Sequence, residues 1–379
     1  MPMPSDLMML FVAACVVPAL VISLAATAVM RKLAPRWGLI DRPTEARKVH
    51  AQPTALGGGV GIWLGIVVPL SAIQLAAVLI TRLSQTPQWL PSELAVHLDG
   101  IASKSGQMWA ILAGGTILAV MGLIDDSRTL PWLPRLLVQL CVACALAAAG
   151  VRATFFVSVD WIGITVTVLW ILVLVNAFNF LDNMDGLSAG MGLIATLLFA
   201  TVMLGLVSQP RWFVGGMLLV IAGSLAGFLW HNRPPARIFM GDSGSYLIGF
   251  LLASLTVLGT FYEESPEVTG RHVMLAPLCI LAVPLYDFCS VMLIRLRERR
   301  SPFHPDKSHF SHRLVELGLK PAHAVLTIHL ATLTTGLGAL LLYKLPGWPE
   351  ALLVIALVVC VLAIVAILET AGRRNNGKL

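Results

Sequence analysis

Charge is scarce in this chain. Asp, Glu, Lys and Arg make up 12% of its 379 residues, against about 25% in a soluble domain. With 57% hydrophobic residues and a mean hydropathy of +0.84, that shortage excludes a soluble globular fold. Strict apolar–polar alternation is missing as well, which excludes a transmembrane β-barrel. Long continuous apolar runs leave spanning α-helices. No basic residue precedes the first of them: Met1–Asp6 has none, and Leu7–Met30 is long enough to span. The first helix is therefore read as retained rather than cleaved. The six cysteines (Cys15, Cys141, Cys144, Cys279, Cys289, Cys360) all lie in apolar runs. They read as small packing residues, not as a disulfide framework or metal cluster. There is no internal repeat, low-complexity tract or separate soluble domain, so residues 1–379 read as one membrane domain. Nothing suggests a nucleic-acid partner.

The expected architecture is an all-α membrane protein of about eleven transmembrane helices, roughly 7–30, 57–81, 108–124, 136–151, 159–175, 187–208, 212–230, 245–262, 272–294, 322–343 and 350–370. With the N-terminus outside, twenty of the 26 Lys and Arg residues fall on inner segments and the tail. This is the positive-inside pattern, and it puts the C-terminus in the cytoplasm.

Five polar segments then share one face of the membrane: Arg31–Leu56, Asp125–Arg135, Asn176–Gly186, His231–Gly244 and Arg295–Lys320. Carboxylates beside cations at a lipid boundary suggest a divalent metal, phosphate groups and a substrate in the bilayer.

Asp125 and Asp126 end the third span. Two ionised neighbours repel unless a cation or a proton offsets them. Successive helical side chains diverge by about 100°, so the pair divides its work: one nearer a metal, one nearer a reacting phosphate. Arg135 is either a phosphate clamp or a positive-inside anchor. Asn176, Asn179, Asp182, Asn183 and Asp185 crowd into ten residues at the end of an apolar helix. Each three-residue step lags the helical face by about 60°. Either the helix breaks near Gly186, or not all of these groups meet one ion. Interhelical bonding by membrane amides explains the asparagines but not the two aspartates. In Gly241-Asp242-Ser243-Gly244, Asp242 or Ser243 caps the next helix, or the free N–H groups there hold an anion while Asp242 reaches a metal. Asp287 lies inside a span and needs a partner, so it is read as lining the inner cavity.

The last loop packs His304, Lys307, His309, His312 and Arg313 together. Zinc binding has no cysteine to support it, and phosphate binding suits the mixture better. Arg47, Lys48 and His50 before a triple glycine form either a basic anchor or a diphosphate site.

In order, Gly122-Leu-Ile-Asp-Asp126, Asn176-Ala-Phe-Asn-Phe-Leu-Asp182 with Asp185-Gly186, Gly241-Asp-Ser-Gly-Ser245 and Ser301-Pro-Phe303 before the histidines resemble the polyprenyl-phosphate N-acetylhexosamine-1-phosphate transferases. The likeness runs from about Gly38 to Leu314 and favours the WecA-like, UDP-N-acetylglucosamine-using side. The resemblance implies a bacterial inner-membrane enzyme with a cytoplasmic active site. It would move a sugar-1-phosphate from a UDP-sugar to undecaprenyl phosphate, releasing UMP, and so start a cell-envelope polysaccharide. It implies Mg²⁺, with Mn²⁺ as a substitute, near Asn179, Asp182 and Asp242. It implies catalytic roles for Asp125, Asp126, Asp182 and Asp185. Substrate contacts would come from Asn176, Asn179, Arg135, Lys48, His50, Asp287, His304, Lys307, His309, His312 and Arg313. A homodimer is left open. Two departures stand out: Arg135 where the family commonly has Lys, and Ser311 within the family's His-x-His-His, here His309-Phe-Ser311-His312. Direct displacement and a covalent aspartyl intermediate both remain. The rivals are an ion-coupled transporter, whose site would lie near the bilayer midplane, and a lipid-binding scaffold.

Overall fold

The computed structural model describes residues 5–42, 53–83, 98–153, 160–259, 270–301 and 309–376. The main helices are α1 (Ser5–Leu33), α2 (Gly58–Thr81), α3 (Leu98–Ser103), α4 (Ser105–Arg128), α5 (Trp132–Ala148), α6 (Asp160–Leu181) and α7 (Leu187–Thr201). They continue with α8 (Trp212–Asn232), α9 (Gly241–Leu258), α10 (Ala276–Ile280), α11 (Ala282–Arg297), α12 (Phe310–Glu316), α13 (Pro321–Leu342) and α14 (Trp348–Asn376). Among the described residues nine helices are long and apolar enough to cross a membrane.

Two expected spans depart from simple rods. α5 has only 17 residues, short for a bilayer crossing of about 20. The expected 272–294 span is broken, with Arg271–Ile280 and Ala282–Arg297 bent by 66°. Pro284 has no N–H to give the carbonyl of Ile280, so the hydrogen-bond ladder opens there. The only sheet among the described residues is a two-stranded antiparallel ribbon, Ile40–Asp41 against Thr54–Ala55. Ala55 also bridges to Ile238.

α9 is the axis of the bundle. In its most apolar stretch 83% of residues are buried, against 17% in α1 and in α14. Leucines and valines of the outer helices, such as Leu79, Leu353 and Leu357, point outward, as lipid-facing residues must. Apolar burial does not drive helices together in lipid; close packing at small residues does. Gly59 abuts the backbone of Gly244, Gly122 that of Asp242 and Ser243, and Gly249 that of Leu174 and Val175. Glycine thus lets α2, α4 and α6 approach α9 to backbone contact. The cysteine expectation is half right: Cys15 and Cys279 are buried packing residues, while the other four are exposed on the bundle surface.

Candidate active site

The described parts of all five polar segments lie at one end of the bundle, four of them joined around the start of α9 and the last reaching Asn183. Gly58 and Gly59, at the start of α2, donate their N–H groups to Phe239 and Met240 carbonyls, both at 2.9 Å. From the end of α4, Asp126 accepts the N–H of Asp242 (2.8 Å) and of Ser243 (3.4 Å). From the end of α6, Asn179 donates to Asp242 Oδ1 (2.7 Å) and Ser245 Oγ (3.1 Å). The Asp182 carboxyl is favoured electrostatically by the Gly241 N–H, and Asp185 accepts the N–H of Ala236 at 2.8 Å. The last loop joins through Ser311, which donates to Asn183 Oδ1 at 2.7 Å.

This arrangement corrects the expectation for Asp242 and Ser243. Neither side chain caps α9, and its first N–H groups are not free for a substrate anion. Those of Asp242 and Ser243 are capped by Asp126 from the end of α4, and Asp182, just past the end of α6, adds a second carboxyl that suits the positive end of the α9 dipole.

The paired aspartates diverge as helical geometry requires. Asp125 turns inward and is 5% exposed. Its oxygens accept Leu130 N (2.6 Å) and Arg135 Nη1 (2.8 Å), and Tyr246 Oη donates to it at 3.4 Å. Arg135 is therefore neither a bare anchor nor a free clamp; it neutralises Asp125. Arg135→Gln is expected to cost about 2–3 kcal/mol of stability, the low end for a broken buried pair because Arg135 is a quarter exposed. Thermal unfolding in detergent reads this directly, and Arg135→Lys should recover most of the loss.

Asp126, Asn179, Asp182 and Asp242 keep partial exposure. Asp182 has left the helix, because α6 stops at Leu181, ahead of the expected break at Gly186. Burial, then the neighbouring Asp126 and Asp185, push the Asp182 carboxyl up to about 8 against the opposing Gly241 N–H. Carboxylates this close ionise together only beside a cation.

Among the described residues no group of three His, Cys, Asp or Glu side chains forms a ready metal cage. The donor set nonetheless fits a hard cation such as Mg²⁺, which takes one or two protein carboxylates and fills its shell with phosphate and water oxygens. Asp182 and Asp242 would supply those carboxylates. Asn179 uses its amide N–H on Asp242, leaving its carbonyl oxygen as a donor.

Other expected residues are placed differently. Asn176 is not part of this cluster; its amide donates to Gln139 Oε1 and the Leu172 carbonyl, each at 2.8 Å. Asp287 has partners from the last loop. It is fully buried and its two oxygens hold His309 Nδ1 (2.9 Å) and Phe310 N (2.8 Å). It pins the start of α12. His312 and Arg313 follow on that helix, both nearly buried. Arg295, also buried, lies over the Phe180 ring at 4.9 Å, and His309 packs against the same ring at 5.6 Å. Lys48, His50, His304 and Lys307 lie outside the described residues. Ser311 is fully buried on Asn183.

Sequence reasoning missed Ser245 and Tyr246, which contact Asn179 and the Asp125–Arg135 pair. Their spacing of three and four residues from Asp242 puts them on its helical face, a signal that was there to use. The cluster sits at helix ends, not mid-span, which disfavours an ion-coupled transporter.

The chain is similar to several known proteins. A family model described as glycosyl transferase family 4 matches residues 108–260. A "probable undecaprenyl-phosphate N-acetylglucosaminyl 1-phosphate transferase" of Bacillus subtilis is 30% identical over 341 residues, 88% of this chain and 85% of its own length. A decaprenyl-phosphate N-acetylglucosaminephosphotransferase of Mycolicibacterium smegmatis is 33% identical over 385 residues, 95% of this chain and 88% of its own. The undecaprenyl-phosphate alpha-N-acetylglucosaminyl 1-phosphate transferase of Escherichia coli K12 is 26% identical over 339 residues, covering 84% and 81%.

Proposed function

The chain belongs to glycosyl transferase family 4, and from that membership we propose that it transfers N-acetylglucosamine-1-phosphate from a UDP-sugar to undecaprenyl phosphate. UMP leaves, and the lipid-diphosphate-linked sugar starts an envelope polysaccharide. The supporting observation is the closure of Asp126, Asn179, Asp182 and Asp242 around one partly open helix start.

Two anions must approach each other, so the work is positioning and charge neutralisation. Asn179, Asp182 and Asp242 would hold Mg²⁺, or Mn²⁺ in its place, which when bound offsets phosphate charge and acts as a Lewis acid. Asp126, held by the α9 N–H groups, orients the acceptor phosphate. That phosphate has a second pKa near ~6, so at neutral pH it needs little help from a base, and direct displacement follows. Asp125 acts through Asp126, fixed by Arg135. Asp185 holds the 233–237 strap. His309, His312 and Arg313 face the donor diphosphate. The enzyme would lie in the bacterial inner membrane with this end in the cytoplasm, N-terminus outside.

Asp287 is a positioning residue in this scheme. Asp287→Asn is expected to raise the KM for the UDP-sugar about tenfold, at roughly 1.4 kcal/mol, with a smaller change in kcat. An equal fall in kcat at constant KM would assign it elsewhere. The reaction itself is tested with purified full-length protein, undecaprenyl phosphate, Mg²⁺ and a panel of UDP-sugars. UMP release with UDP-N-acetylglucosamine is expected. Release with no UDP-sugar in the panel would end the proposal, and exchange of labelled UMP without acceptor would replace direct displacement by a covalent route.

A further inference from the structure

A cavity of about 410 Å³ opens where α8 ends, lined by Trp230, His231, Arg233, Pro234, Pro235 and Arg237. The proposed reaction uses none of these side chains. Trp230 is 54% exposed at the end of an apolar helix, the place where tryptophan marks the headgroup level of a bilayer. The Arg233 guanidinium lies over its indole ring, 4.3 Å from the centroid. Neither Arg233 nor Arg237 pairs with a carboxylate among the described residues. Arg237 and Arg31, from the end of α1, are both within electrostatic reach of His231. His231 is 7% exposed; its Nε2 meets the Leu24 carbonyl at 3.1 Å and its Nδ1 has no partner.

This corner therefore gathers an interfacial aromatic and cations with no carboxylate partner among the described residues around open space, with the His231 ring buried behind them. The missing component is an anion. Arginine holds phosphate oxygens in a fork geometry, and basic groups at a membrane surface attract anionic headgroups. We propose that the cavity binds the phosphodiester headgroup of an anionic membrane lipid, with Arg233 and Arg237 on the phosphate and Trp230 against the glycerol backbone. A lipid rather than free phosphate is the occupant because Trp230 sets the mouth at the lipid boundary. Occupancy has a consequence nearby. The cavity wall is the strap that Asp185 holds at Ala236 and that bridges Ala55 at Ile238. That strap leads directly into α9, so a bound headgroup steadies the segment that presents Asp242.

Native mass spectrometry on the purified full chain tests this without any turnover. Wild-type protein is titrated with dioleoyl phosphatidylglycerol, with dioleoyl phosphatidylcholine, and with phosphatidylglycerol plus millimolar inorganic phosphate. Phosphatidylglycerol is expected to be retained about tenfold more tightly than phosphatidylcholine, and inorganic phosphate should not displace it. The double variant R233Q/R237Q should lose that retained lipid, R233K/R237K should keep most of it, and the pair R82Q/R152Q, past the far ends of α2 and α5, should keep all of it. Equal retention of the two lipids by wild-type protein overturns the proposal, and this arm does not depend on any variant folding. Displacement by inorganic phosphate, or equal loss in R82Q/R152Q, overturns it as well.

Discussion

Asp242→Asn is expected to slow UMP release by about 10³-fold, which is roughly 4 kcal/mol of barrier. The substitution is chosen for what it preserves. Asparagine has the same shape, and its carbonyl oxygen can still accept the Asn179 amide that now reaches Asp242 Oδ1 at 2.7 Å. The backbone N–H that Asp126 receives is also untouched. Only the negative charge disappears, so the thermal unfolding midpoint should hold while turnover collapses. The Mg²⁺ concentration for half-maximal activity should rise as well, since one of two carboxylates is lost. Turnover and Mg²⁺ dependence close to wild type would favour the lipid-binding scaffold, which has no use for this carboxylate.

The second large effect comes from a residue without a side chain. Gly241→Ala is expected to reduce activity by at least about 10²-fold while the protein still inserts and purifies. Gly241 has φ +73°, in the left-handed region. A β-carbon there costs about 1–2 kcal/mol in backbone strain alone. It would also collide with the Asp126 carboxylate. Asp126 would have to release the N–H groups of Asp242 and Ser243, leaving the start of α9 uncapped and the site open. Gly106→Ala is the control, because nothing lies within 4 Å of that position. Near-normal turnover by Gly241→Ala would show that the Asp126 cap on α9 is dispensable.

The helical architecture was legible because apolar run length has few alternatives in lipid. Each expected span corresponds to helical chain: nine are long apolar helices among the described residues, one is a bent pair and one is the short α5. A proline three residues inside α11 breaks one span, and α5 is cut short. Hydropathy averages over a window and registers neither event. Five polar islands in an apolar background were equally conspicuous, as was the divergence of Asp125 from Asp126. Which partner each polar side chain takes was not legible. Asn176 and Asn179 have the same chemistry and stand one turn apart, yet one bonds to Gln139 and the other to Asp242. That Asp287 would take its partners from His309 and Phe310, 22 and 23 residues on, was equally hidden.

The amino-acid order by itself determined that this is a helical membrane protein with most of its charge at the span ends, because burial of charge in hydrocarbon is costly. Only the tertiary structure decided that the Asp126 carboxylate from α4 caps α9. Glycines on facing helices set how closely those backbones approach, and that distance, invisible in any single segment, selects which carboxylate meets which N–H.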